Sequence, residues 1–87
     1  MEKMKYDIHG IPIKIKFHAS QRIAERVGEE CSSIEEQIYF IRRLIKEGKV
    51  VRKVTKDGEV GMIRKGKYRA KFTIRGGVLW VLTIEED

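Results

Sequence analysis

Apolar residues recur along this chain at two different intervals. From Phe17 to Gly48 the spacing is three to four residues, and on either side of that stretch it is two. The first interval belongs to helices with one buried face and the second to half-buried strands. Residues around Met4 to Phe17 read as a β-hairpin turning at His9-Gly10. A two-residue turn there sets Ile8 against Ile11, Tyr6 against Ile13 and Met4 against Ile15, so the large apolar groups share one side. Lys5, Asp7, Pro12, Lys14 and Lys16 take the other side, and Pro12 suits an edge position where no ladder donor is needed.

A helix from about His18 to Glu29 follows, with Gly28 at its natural end. A second helix starts at Cys31-Ser32-Ser33, where Ser33 and Glu36 have capping-box spacing, and continues to Gly48. Its stripe of Ile34, Ile38, Ile41 and Ile45, widened by Phe40 and Leu44, is a core face. From Lys49 onward the pattern predicts a four-strand antiparallel meander with turns at Asp57-Gly58, near Lys65-Gly66 and at Gly76-Gly77. Across the last turn Ile74 should face Leu79, Phe72 should face Val81 and Ala70 should face Thr83 on the core side. Thr73 with Trp80, Lys71 with Leu82 and Arg69 with Ile84 should form the opposite side. The last strand is apolar on both sides and belongs inside the sheet.

These elements predict an α+β fold in which an N-terminal hairpin, two helices and the meander place both helices on one face of a sheet of five or six strands. With 87 residues and no linker-like or repeated segment, residues 1–87 read as a single domain. Val78 to Leu82 is the longest apolar run, too short to cross a bilayer, and Met1-Glu2-Lys3 opens no signal-peptide core. A cytoplasmic protein without a membrane partner is expected. The lone Cys31 has no disulfide partner, and His9, His18 and Cys31 lack the spacing of a zinc site, so neither metal nor cofactor is expected. His9 reads as a turn residue. The absence of Asn and the dominance of Lys, Glu, Arg and Ile hint at a thermophilic source.

Charge changes the picture further. The net charge is +6, yet ten basic residues against only Asp57 and Glu59 lie between Lys49 and Arg75, which makes the second half a cationic surface. Glu29, Glu30, Glu35 and Glu36 make the junction between the helices repel polyanions. On the expected solvent side of the meander, Arg69, Lys71 and Arg75 surround Trp80. Cations beside a ring on which a base can stack are the ingredients of single-stranded nucleic-acid binding; equally, the Lys and Arg stems can simply cover Trp80 and Leu82. On the first helix His18, Arg22 and Arg26 recur every four residues. An imidazole that transfers protons beside guanidiniums that hold a phosphate is what metal-free RNA cleavage through the 2′-hydroxyl needs, with Glu25 as a second candidate proton carrier. The competing reading pairs Arg22 and Arg26 with Glu25, Glu29 or Glu30 and makes His18 the start of the helix.

The segment His18-Ala19-x-x-Arg22-x-x-x-Arg26 after an N-terminal strand, the second helix ending at Gly48 and the closing Val81-Leu82-Thr83-Ile84 resemble a family of small prokaryotic domains with a His-Ala-x-x-Arg opening. That family is similar in layout to the RelE/ParE-like toxins and, more distantly, to the barnase, colicin and RelE group of metal-independent ribonucleases. The resemblance implies a toxin-type ribonuclease acting on RNA and held by an antitoxin-like protein. It implies His18 and Arg22 first as catalytic residues, then Arg26 and Thr83. No complete ribonuclease set and no antitoxin-binding tail match. Two other classes stay open: a non-catalytic nucleic-acid-binding or protein-interaction module, and a helix-turn-helix or winged DNA-binding regulator. The last conflicts with Glu35 and Glu36 in the first turn of the helix that would enter the groove.

Overall fold

The computed structural model describes residues 6–28 and 32–86. Strand β1 (Ile13–Ile15) leads into helices α1 (Phe17–Val27) and α2 (Ile34–Glu47), and four strands follow: β2 (Lys49–Thr55), β3 (Gly58–Lys65), β4 (Tyr68–Arg75) and β5 (Val78–Glu86). The sheet order is β1-β5-β4-β3-β2. The four later strands form the expected antiparallel meander, and β1 lies parallel to β5. Both helices pack on one face. Ala19 and Ile23 of α1 and Ile41, Leu44 and Ile45 of α2 close over Ile63, Ala70, Phe72, Ile74, Leu79, Val81 and Ile84. As its two-sided apolarity demanded, β5 is interior, flanked by β1 and β4.

The N-terminal hairpin is replaced by another arrangement. Ile13 pairs with Leu79 and Ile15 with Val81, and the β1 backbone is held by Leu79 N–H donating to the Pro12 carbonyl at 2.9 Å and Lys16 N–H donating to the Val81 carbonyl at 3.0 Å. With β5 as its partner, β1 needs no preceding strand. Residues 7–10 instead make a tight turn, closed by Gly10 N–H on the Asp7 carbonyl at 3.1 Å and His9 N–H on Asp7 Oδ1 at 3.0 Å. Ile8 and Ile11 are driven into the core, and Arg42 fixes the segment by donating to the carbonyls of His9 and Ile11. The expected Met4–Ile15 pair falls partly outside the described residues. Pro12 does stand at the edge.

α1 ends at Gly28, whose φ of 100° is a conformation other residues resist. α2 begins on the capping box read from Ser33 and Glu36. The Ser33 hydroxyl accepts from Glu36 N–H at 3.1 Å, and the Glu36 carboxylate accepts from Ser33 N–H at 3.3 Å. Ser33→Ala is expected to cost about 1 kcal/mol in a urea titration, the usual worth of such a cap. Ile34 departs from the expected stripe and stands 54 % exposed at the first helical position, while Gln37 is buried in its place. Gln37 links the helices: its Oε1 accepts from the Ser20 hydroxyl at 2.7 Å and its amide donates to the Ser20 carbonyl at 3.4 Å.

Glu59, which reads from sequence as one more surface acid, is 2 % exposed on the helix side of β3. Arg52, its near neighbour across the β2–β3 pairing, donates Nε to Glu59 Oε1 at 2.7 Å and Nη2 to the Tyr6 carbonyl at 2.7 Å. One guanidinium thus holds both a buried carboxylate and the N-terminal segment. Gly61 leaves room beside it, since a Cβ there would lie 2.5 Å from Phe72 Cζ and 2.3 Å from the Val51 carbonyl oxygen.

Candidate nucleic-acid interface

The helices cover one face of the sheet and the other face is open. Alternation along β4 buries Ala70, Phe72 and Ile74 and turns Arg69, Lys71, Thr73 and Arg75 to the open face. Pairing carries that face across Val60, Met62 and Arg64 of β3 and Lys49, Val51 and Lys53 of β2. On the other flank it carries it to Trp80 of β5 and Lys14 of β1. Lysines and arginines therefore come from every one of these strands except β5, whose contribution is the tryptophan.

The register of the last hairpin starts as its sequence predicts and then changes. Arg75 pairs with Val78, Ile74 with Leu79, Thr73 with Trp80 and Phe72 with Val81, around a Gly76-Gly77 turn in which both residues have positive φ, 58° and 75°. Between Phe72 and Lys71 a β-bulge intervenes, so Lys71 pairs with Thr83, Ala70 with Ile84 and Arg69 with Glu85. The expected Ala70–Thr83, Lys71–Leu82 and Arg69–Ile84 pairs do not form. The physical reason is burial: the shift lets Ile84 fill the core where an unshifted ladder would bury the Thr83 hydroxyl. It also redistributes charge, because Arg69 now meets Glu85 at 3.5 Å.

At the centre of the face Lys16, Val60, Thr73, Arg75, Trp80 and Leu82 line an open depression of about 530 Å³. Val60 and Leu82 are 39 % and 40 % exposed, so its walls are partly apolar. Lys16 Nζ lies 4.7 Å and Lys14 Nζ 5.4 Å from the centre of the Trp80 ring. These two lysines were missed as site residues. Their side of β1 was legible from the Ile13-Lys14-Ile15-Lys16 alternation, but their place beside Trp80 depends on a parallel pairing that no local pattern announces. Lys71 and Arg75 are exposed and carry no ion pair with a described residue. Elsewhere, cations are committed: Lys67 meets Glu86 at 3.7 Å, and Lys65 bonds to Glu47, a hydrogen bond that holds the Glu47 carboxyl below its ordinary range.

The first-helix candidates are placed separately. His18 and Arg22 are exposed and Arg26 is half-buried, with its Nε making no hydrogen bond among the described residues. The Phe17 ring stands edge-on to the His18 imidazole at 6.1 Å. Because Lys16 N–H bonds the Val81 carbonyl, the first turn of α1 starts at the sheet edge, alongside the part of β5 that runs into Leu82 and Thr83. His18 does not line the Trp80 depression. Thus the structure gathers Arg75 and Trp80 with Lys16, sets Lys71 beside Thr83, and keeps the His18, Arg22 and Arg26 stripe on the helix outside that depression. Among the described residues no group of three or more His, Cys, Asp or Glu could hold a metal, and no helix is long and apolar enough to cross a membrane.

Two helices on one face of a five-stranded mixed sheet, with the other face open and basic, define an α+β domain of the kind its element order predicted. Neither a protein-family model nor a curated protein matches the sequence. Among solved structures the chain is similar to one in the crystal structure of the archaeal RelE–RelB complex from Pyrococcus horikoshii OT3. The TM-score is 0.62 over 87 % of this chain and 93 % of that one, at 16 % identity. The fold is RelE-like.

Proposed function

We propose that this chain is a small RNA-binding protein of the RelE toxin type that engages RNA through the open face of its sheet. The observation that supports this best is the convergence of Lys16, Arg75 and Trp80 on one open depression, with Lys14 over the ring and Lys71 on the neighbouring pair. Phosphates need fixed positive charge, and unpaired bases need an aromatic surface. The likeness to a chain of a RelE–RelB complex supports two finer parts of the reading: a cytoplasmic toxin-type role and an antitoxin-like protein partner.

Metal-independent cleavage is the catalytic form of the same proposal. In it His18 transfers protons, Arg22 and Arg26 stabilise the phosphate, and Thr83 supports the site from β5. The position of α1's first turn at the sheet edge beside β5 favours it, since RNA crossing the open face would run past Leu82 and Thr83 toward the start of α1. A non-catalytic binding module is the second reading, favoured by the absence of His18 from the depression. RNA cleavage in a chelator, compared between the parent chain and His18→Ala, separates the two. The catalytic form expects chelator-resistant cleavage that the substitution abolishes while RNA affinity is retained. Cleavage unchanged in His18→Ala removes His18 from the chemistry. RNA that stays intact with the parent chain leaves the binding module.

A further inference from the structure

We infer that the Trp80 depression is a stacking site for a single unpaired nucleotide of RNA, with Lys14 and Lys16 acting as place-holders on the ring that move to the flanking phosphates when the base arrives. The inference rests on the proposed use of the open face by RNA and specifies what that face recognises. Two observations carry it. Trp80 belongs to the sheet floor, opposite Thr73, yet its ring is met by the ammonium groups of two exposed lysines at 4.7 and 5.4 Å. A surface of that kind is open to exchange, because a solvated lysine holds a ring face weakly and its long stem allows it to withdraw. The depression around the ring is also lined by both apolar side chains, Val60 and Leu82, and cations, Lys16 and Arg75. That mixture matches a nucleotide, whose flat base seeks apolar walls and whose phosphate seeks cations, while the Thr73 hydroxyl is spent on the Glu59 carbonyl at 3.0 Å.

Exchange is favourable on both sides. A base stacks on an aromatic ring more strongly than an exposed ammonium does, and each displaced lysine gains a phosphate and releases its counterion. A duplex cannot use the site, since its base faces are already covered by their neighbours and only its backbone and groove edges are offered. The depression therefore selects single-stranded RNA, while Lys71 adds affinity without regard to strandedness.

Trp80 is the only tryptophan in the chain, so its fluorescence reports this site alone. A hexauridylate titrated at low salt should quench that fluorescence along the same isotherm that the anisotropy of a labelled hexamer follows, and a 12-base-pair RNA duplex should bind without comparable quenching. Trp80→Ala should weaken hexamer binding about 5- to 140-fold, the loss of one base stack, with Trp80→Phe recovering much of it. Lys14→Met with Lys16→Met should keep the quenching and lower the slope of log affinity against log salt by about 1.4, two single-strand phosphate contacts. Hexamer binding without quenching, or equal affinity in Trp80→Phe, Trp80→Ala and the parent, overturns the stacking site and leaves RNA binding standing. No binding of hexamer or duplex at low salt overturns both.

Discussion

Arg52→Ala is expected to lower the stability of this domain by about 3–5 kcal/mol, the cost of stranding one charge of a buried pair. Glu59 has almost no access to water, and the described side chain bonded to its carboxylate is Arg52. Removing the guanidinium also takes the donor from the Tyr6 carbonyl, so the segment carrying Ile8 and Ile11 loses an anchor while the carboxylate loses its counter-charge. Small domains have about 5–15 kcal/mol in total, so the substitution threatens folding itself. The contrast that identifies the cause is Arg52→Met combined with Glu59→Leu. Exchanging both charges for apolar groups should restore most of the loss, because neither is left behind. Urea unfolding of the single and double variants measures this, and a single variant within 1 kcal/mol of the parent would show that the pair is not what holds the N-terminal segment.

RNA affinity should respond to salt almost as strongly. If Lys14, Lys16, Lys71 and Arg75 each neutralise one phosphate, four single-strand contacts give a slope of about −2.8 in log affinity against log salt, and a rise from 50 to 200 mM weakens binding about 50-fold. Arg69 is excluded from this count because the bulge sets it against Glu85. Lys71→Ala and Arg75→Ala together should therefore lower the slope by about 1.4, whereas Arg69→Ala should leave it close to the parent value. Equilibrium binding of a labelled single-stranded RNA across a salt series reads both. A flat salt response would contradict the assignment of these cations to phosphates.

Local patterns in this chain were informative wherever a single turn connected the partners. Gly76-Gly77 set the register of four successive cross-strand pairs, and Ser33 with Glu36 marked the start of α2 because each caps the other directly. What depended on distant partners was hidden. The spacing of Ile8, Ile11 and Ile13 fits a hairpin as well as it fits a turn tucked under Arg42, and the choice is made by β5, some seventy residues later. The bulge left one trace in the sequence. Leu79 and Val81 keep an odd-numbered rhythm that Ile84 breaks, and an isoleucine off the beat opposite Ala70 is a better core residue than the threonine before it. Within the candidate site, Arg75 and Trp80 were legible because they share a hairpin. Lys14 and Lys16 were not, for the same reason that β1 itself was misread.

The interior position of β5 has a consequence for how the domain is made. Translation delivers β1 and α1 first, but both rest on β5, and Ala19 and Ile23 gain a complete floor only when Leu79, Val81 and Ile84 are in place. Without Val78–Glu86 the chain holds α1 with no strand beneath its apolar stripe and an edge of β4 without its neighbour. Such pairing across the length of the chain is slow to find and cannot be rehearsed by fragments. A chain halted before Val78 therefore offers no Trp80 depression, and the open face is completed only when the last strand joins the sheet.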